Sequence, residues 1–109
     1  MSTVTTHVLD VGFGRPAEGV SVTLTREGAL VASGLTDADG RVRGLGTEPG
    51  PLGAGSYRLT FAVRDYFAKT GRDAFYREVV VQFEIGGGEE DYHVPLLLGP
   101  FGYTTYRGR

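Results

Sequence analysis

A chain of 109 residues with 40% hydrophobic side chains and 18 glycines is long enough for one core, too short for two, and uses its glycines as turns. Eleven Lys and Arg against 13 Asp and Glu give a net charge of −2, so no overall basic field favours nucleic acid or an anionic membrane. With no cysteine, disulfides, thiolate metal ligands and a cysteine nucleophile are all excluded.

Short β-branched and aromatic runs recur between Gly, Pro and Asp clusters, which predicts an all-β sandwich of roughly eight strands in a single domain, residues 1–109. A first strand is expected over Val4 to Asp10. The next, Val20 to Thr25, alternates apolar Val20, Val22 and Leu24 with Ser21, Thr23 and Thr25. A short run from Leu30 to Ser33 leads into TDADGR, a turn signal, and a brief strand near Arg41 to Leu45; GLGTEPGPLGAG is a long loop. Tyr57, Leu59, Phe61 and Val63 share one face of a core strand. RDYFAKTG then breaks the period and fits one or two helical turns, with Asp65 as a cap and Gly71 as a stop. Strands over Phe75 to Ile85, Tyr92 to Leu98 and Phe101 to Arg107 follow, the last two joined by a Gly99-Pro100 turn.

Strand parity also says where the polar residues point. Thr5, His7 and Leu9 share one face of the first strand, and His93, Pro95 and Leu97 share the less apolar face of the penultimate one. In the last strand Thr104 and Tyr106 lie opposite Phe101, Tyr103 and Thr105. If these strands are neighbours, one sheet carries His7, His93 and Tyr106 among Leu9, Pro95 and Leu97. Such a face is too apolar for open water and too polar for a core, and it suits a pocket or an interface. Pro95, which lacks a ladder donor, predicts an edge strand or a local irregularity.

Blander readings stand beside this. A single strand histidine is by default solvated, and two without a carboxylate or thiolate fall short of the three or four ligands zinc takes, so neither metal nor cofactor is expected. GFGRPAEG has no helix behind it to supply a phosphate site and reads as a turn. No G-x-S-x-G occurs, so an enzyme built on these residues would use water as nucleophile. The opening MSTVTTHVLDVG lacks a basic and apolar leader, no run reaches membrane-spanning length, and the last three residues are not a peroxisomal address; a soluble, cytoplasmic protein is expected.

Three separated motifs carry a resemblance. TTHVLDVGFGRPAEGVSVTL, TDADGR and HVPLLLGPFGYTTYRGR are similar, in this order, to the opening, central and closing signatures of the 5-hydroxyisourate hydrolases, the enzyme branch of the transthyretin-like family. The likeness covers nearly the whole chain. It implies a transthyretin-like (prealbumin-like) sandwich of two four-stranded sheets with one short helix, and a homotetramer whose site lies at the dimer-dimer interface. The implied reaction, part of urate catabolism in purine metabolism, is hydrolysis of 5-hydroxyisourate to 2-oxo-4-hydroxy-4-carboxy-5-ureidoimidazoline.

That chemistry needs a base for water, donors for an oxyanion and groups to align a flat, oxygen-rich substrate. The resemblance implies His7 as candidate base, Arg41 as the fork that binds substrate oxygens, His93 as the residue that orients water or donates a proton, and Tyr106 as a substrate hydrogen-bonding group. The roles of His7 and His93 are open to exchange. Arg107 and Gly108 fall in the closing Tyr-Arg-Gly-Ser signature as supporting residues. The sequence departs from the pattern at Gly99, in place of a serine, and at Arg109, where the terminal serine stands; Arg109 cannot supply that hydroxyl. The alternative is a non-catalytic transthyretin-like carrier or binding module, which would have no need of two histidines, an arginine and a tyrosine on one pocket.

Overall fold

The computed structural model describes residues 2–42, 45, 52–88 and 90–108. Most of the GLGTEPGPLGAG loop, part of the strand expected over Arg41 to Leu45, and Arg109 lie outside them. Among the described residues eight strands and one helix follow in chain order: β1 (Thr3–Asp10), β2 (Arg15–Pro16), β3 (Ser21–Arg26), β4 (Ala29–Leu35), β5 (Gly55–Phe61), α1 (Val63–Lys69), β6 (Val79–Ile85), β7 (Asp91–Leu98) and β8 (Tyr103–Thr105). They form two four-stranded sheets, ordered β2-β1-β7-β8 and β4-β3-β5-β6, as the all-β sandwich expectation requires. No helix among the described residues is long and apolar enough to cross a membrane.

The alternation seen in the sequence is what builds the core. Val4 and Val8 of β1, Val22 and Leu24 of β3, Leu59 and Phe61 of β5, and Leu96 and Leu98 of β7 are at most 1% exposed. Each such side chain contributes about 1.5–3 kcal/mol on burial. The first sheet is held at its centre by β1 and β7, which run parallel, from Thr3 beside Asp91 to Asp10 beside Leu98.

Several boundaries differ from the sequence reading. Val63 does not extend the β5 face: β5 ends at Phe61 and Val63 opens α1, though it is buried as expected. Asp65 is not the cap of α1, whose N-cap is Ala62 with no side-chain bond; Asp65 sits in the first turn, where its charge favours the helix dipole. Gly71 takes a left-handed φ of +71° just past the helix, as a stop should. β6 begins at Val79, not Phe75, because Phe75 N–H is bonded to the Pro100 carbonyl and its ring packs edge-on against Tyr76. β8 is confined to Tyr103–Thr105, since Phe101 belongs to a turn closed by Gly99 N–H on the Gly102 carbonyl.

Pro95 lies in β7, an interior strand, so the edge expectation is wrong. Its carbonyl accepts the Thr105 hydroxyl, so the nitrogen, facing the same way, points toward the β8 side. There the β8 ladder has ended at Thr105 and the next bond is Gly108 N–H to the His93 carbonyl. The absent N–H thus falls in a gap between the two and costs no ladder bond.

At its far end β1 is fastened by a network. Asp10, 0% exposed, accepts hydrogen bonds from Phe13 N–H (3.0 Å), the Tyr66 hydroxyl (2.6 Å) and, bidentately, the Arg72 guanidinium (3.2 and 2.5 Å). Arg72 in turn stacks on the Phe13 ring at 3.6 Å. Burial alone would raise the Asp10 pKa, but the bonds from Arg72, Tyr66 and Phe13 outweigh it and hold the carboxyl at about 2. Burial and the bond to Asp10 push Tyr66 up to about 12.

Candidate functional site

The face of β1 and β7 that turns away from the core is built by register. Thr5 lies beside His93, His7 beside Pro95 and Leu9 beside Leu97. His7, Leu9, His93 and Leu97 are half-buried, and Pro95 is buried. Both imidazoles therefore stand on one partly apolar surface, on adjacent strands.

Arg41 joins them through the TDADGR turn. Asp37 Oδ1 accepts from the N–H groups of Asp39 and Arg41, and the Asp37 carbonyl accepts from Gly40 N–H, which closes the turn with Gly40 at φ +77°. The turn is then pinned to β1: Gly40 carbonyl accepts from Val8 N–H at 2.8 Å, and Arg41 forms a bridge with His7. That bridge is the described part of the strand expected at Arg41. It continues the sheet edge where β2, which covers only Leu9 and Asp10, leaves off.

Each histidine has a glycine against its ring. A Cβ on Gly40 would meet the Val8 carbonyl at 2.4 Å and His7 Cδ2 at 3.2 Å; one on Gly108 would meet His93 Cδ2 at 2.6 Å. Gly108 N–H also bonds the His93 carbonyl at 2.8 Å, so the chain just beyond β8 closes over His93. Thr5 Oγ1 lies 2.8 Å from His93 Nδ1. The His93 pKa is lowered by burial first, then by the charge of Arg41 and by His7, with a hydrogen bond to Thr5 acting the other way. His7, Arg41 and His93 are thus close enough to act on one another electrically, and the neutral His93 ring, a proton acceptor, is favoured near neutral pH.

The remaining residues singled out from the sequence are placed differently. Tyr106 follows the end of β8, where strand parity no longer applies; it is 55% exposed and borders an apolar depression of about 260 Å³ with Val81, Phe83, Tyr92 and Val94. Arg107 lies over the Tyr92 ring at 4.5 Å and reaches Glu90 at 3.5 Å. Gly108 is at the site, packed on His93. Thr5 was visible in the sequence as sharing the His7 face; what parity does not reveal is that the neighbouring strand puts His93 within reach of its hydroxyl.

A solvated two-histidine face with a guanidinium is a place for acid-base chemistry on a polar, flat molecule. The comparisons with known proteins agree in kind. The family model HIUase/Transthyretin family matches residues 4–108. A 5-hydroxyisourate hydrolase of Caulobacter vibrioides is 42% identical, over 99% of this chain and 99% of that protein. The solved 5-hydroxyisourate hydrolase of Klebsiella pneumoniae superposes with a TM-score of 0.91 at 41% identity, covering 100% of this chain and 94% of the other. The transthyretin of Sparus aurata superposes at 0.85 with 33% identity, over 96% and 95% of the two chains. The chain belongs to the HIUase/Transthyretin family.

Proposed function

We infer that this chain is a hydrolase that acts on 5-hydroxyisourate, opening a carbon-nitrogen bond of a cyclic amide. The observation that carries the reading is the convergence of His7, Arg41 and His93: a bridge joins the first two, and parallel pairing of β1 with β7 brings in the third. The 5-hydroxyisourate hydrolases among the relatives, at about two-fifths identity over nearly the full length, name the substrate.

In this mechanism one imidazole takes a proton from water as its oxygen attacks the acyl carbon. Arg41, exposed at the edge of the face, offers its planar fork to the substrate oxygens and to the oxyanion that develops. When the tetrahedral intermediate collapses, the carbon-nitrogen bond breaks and the departing nitrogen receives a proton from the imidazolium or from its neighbour. Tyr106 borders the depression lined by Val81, Phe83, Tyr92 and Val94, on the face of β7 opposite His93, so the expected hydrogen bond from it to a substrate on the histidine face is not part of this mechanism. Water is the nucleophile.

The half-buried Leu9 and Leu97 and the exposed Val11 and Phe101 lie on or near the same sheet, and a surface of this kind is covered by a second copy in a homotetramer with the site at the dimer-dimer interface. Generating 5-hydroxyisourate in place with urate oxidase and following its ultraviolet decay tests the activity. The protein should accelerate the decay; decay at the spontaneous rate would refute the reading, and a monomer by light scattering would remove the interface.

A further inference from the structure

Arg41 is exposed, so its side chain gains little guidance from packing, and what the fold can fix is the main chain that carries it. One residue does this twice over. Asp37 N–H donates to the Arg41 carbonyl at 2.8 Å, and Asp37 Oδ1 accepts from Arg41 N–H at 3.1 Å, so both main-chain polar groups of Arg41 are bonded to Asp37. The same Oδ1 accepts from Asp39 N–H at 2.9 Å, and the Asp37 carbonyl accepts from Gly40 N–H at 2.9 Å, which leaves the turn little freedom. On the entry side Thr36, 3% exposed, ties the turn to the chain before β3: its hydroxyl accepts from Val20 N–H at 2.8 Å and donates to the Ala17 carbonyl at 2.6 Å. On the exit side the Gly40 carbonyl accepts from Val8 N–H, and Arg41 forms its bridge with His7.

We propose that Asp37 is a positioning residue for the hydrolysis: by bonding both main-chain groups of Arg41 it holds that residue in register with His7, so that the guanidinium meets the substrate oxygens beside the imidazoles. The proposal rests on the hydrolase reading for its chemistry, while its structural half, the hold of Asp37 on Arg41, can be read without substrate. Asp37 acts through Arg41 and takes no part in the reaction itself. Its leverage comes from distance: a donor to a developing oxyanion works only within hydrogen-bond reach, so a small shift of the main chain beneath Arg41 lowers the rate. Thr36 makes a useful contrast. It is the neighbouring residue of the same turn, but its side chain bonds Ala17 and Val20, so it secures the turn to the sandwich and leaves the alignment of Arg41 to Asp37.

The experiment is a double-mutant cycle in kcat/KM on 5-hydroxyisourate, with amide hydrogen exchange followed by NMR in the same proteins. Asp37→Ala should lower kcat/KM about 10–100-fold and speed exchange of the Arg41 N–H. Asp37→Asn, which keeps an acceptor oxygen in the same place, should recover most of the activity and the protection. In an Arg41→Ala background the same Asp37→Ala change should cost less than about two-fold, because the group it positions is gone. If Asp37→Ala does not fold, Asp37→Ser takes its place: its shorter side chain can still accept from Asp39 N–H and keep the turn, but it does not reach Arg41 N–H as well. Unchanged kcat/KM in Asp37→Ala, no recovery in Asp37→Asn, or an equal loss with and without Arg41 would overturn the proposal, the last because Asp37 would then act through the fold at large. Unchanged exchange at Arg41 in Asp37→Ala would overturn it whatever the activity. Faster exchange at Arg41 in Asp37→Ala, with no hydrolysis of 5-hydroxyisourate even by the unaltered protein, would refute the hydrolase reading and with it the catalytic half of the proposal, and would leave the hold of Asp37 on Arg41 standing.

Discussion

His7 and Asp10 sit on the same strand, β1, and point to opposite faces of the sheet, and their surroundings differ as sharply as their directions. Asp10 is fully enclosed and every direction around its carboxylate is filled by Phe13, Tyr66 or Arg72. His7 is half-buried beside apolar Leu9 and Pro95, with the exposed Arg41 alongside. A saturated charge is locked and stabilises the fold; a partly exposed imidazole beside an exposed guanidinium keeps its capacity for an incoming ligand. The strand is therefore anchored on one side by the groups that do no chemistry, which keeps the other side rigid enough for those that do.

The largest expected effect comes from unlocking the anchor. Arg72→Ala strands the buried Asp10 carboxylate and should cost about 3–5 kcal/mol, read as a fall in the urea midpoint. The pH dependence follows from the depressed Asp10 pKa. The folded value of about 2 lies below the ordinary 3.8, so the group's contribution, about 2 kcal/mol, is fully present above pH 4 and is lost as pH falls toward 2. Asp10→Asn should flatten that part of the curve of stability against pH; a curve that keeps its slope would mean that another carboxylate carries it.

A smaller effect tests the opposite side. Gly108→Ala puts a methyl group 2.6 Å from His93 Cδ2, so the ring must move, and turnover should drop about ten-fold while the unfolding midpoint hardly changes. Unchanged turnover would mean that the position of His93 is not critical. Smallest of all is Glu90→Gln. Its partner Arg107 is 58% exposed and the bond is 3.5 Å long, so neither stability nor turnover should change measurably; a clear loss of activity would bring that pair into the site.

Counting by two along β1 and β7 was enough to put His7 and His93 on outward faces, because regular strands carry side chains in strict alternation. It failed where regularity ends. Tyr106 lies one residue past β8, and its parity with Thr104 says nothing about a chain that has left the sheet. Arg41 reaches His7 through a single bridge 34 residues away in sequence, made possible by a glycine turn and not by a periodic pattern. The Asp10 network was hidden for a related reason: Asp10 reads as the polar end of a strand, and only the docking of α1 brings Tyr66 and Arg72 to it. Pro95 misled because one sequence position cannot reveal that its neighbour strand stops just short of it. The fold class and the three signature motifs, by contrast, rest on many residues at once, and local exceptions do not disturb them.

The most direct test of the contrast between the two faces is the initial rate of 5-hydroxyisourate loss, per folded molecule, for the unaltered protein, His7→Ala and Asp10→Asn at a temperature where all three are folded. His7→Ala should lose about 10²–10⁴-fold in rate with its stability intact, whereas Asp10→Asn should keep a rate close to that of the unaltered protein despite lower stability. Equal rates in the unaltered protein and His7→Ala, or a rate that falls with Asp10→Asn as steeply as with His7→Ala, would contradict the assignment of chemistry to the outward face of β1.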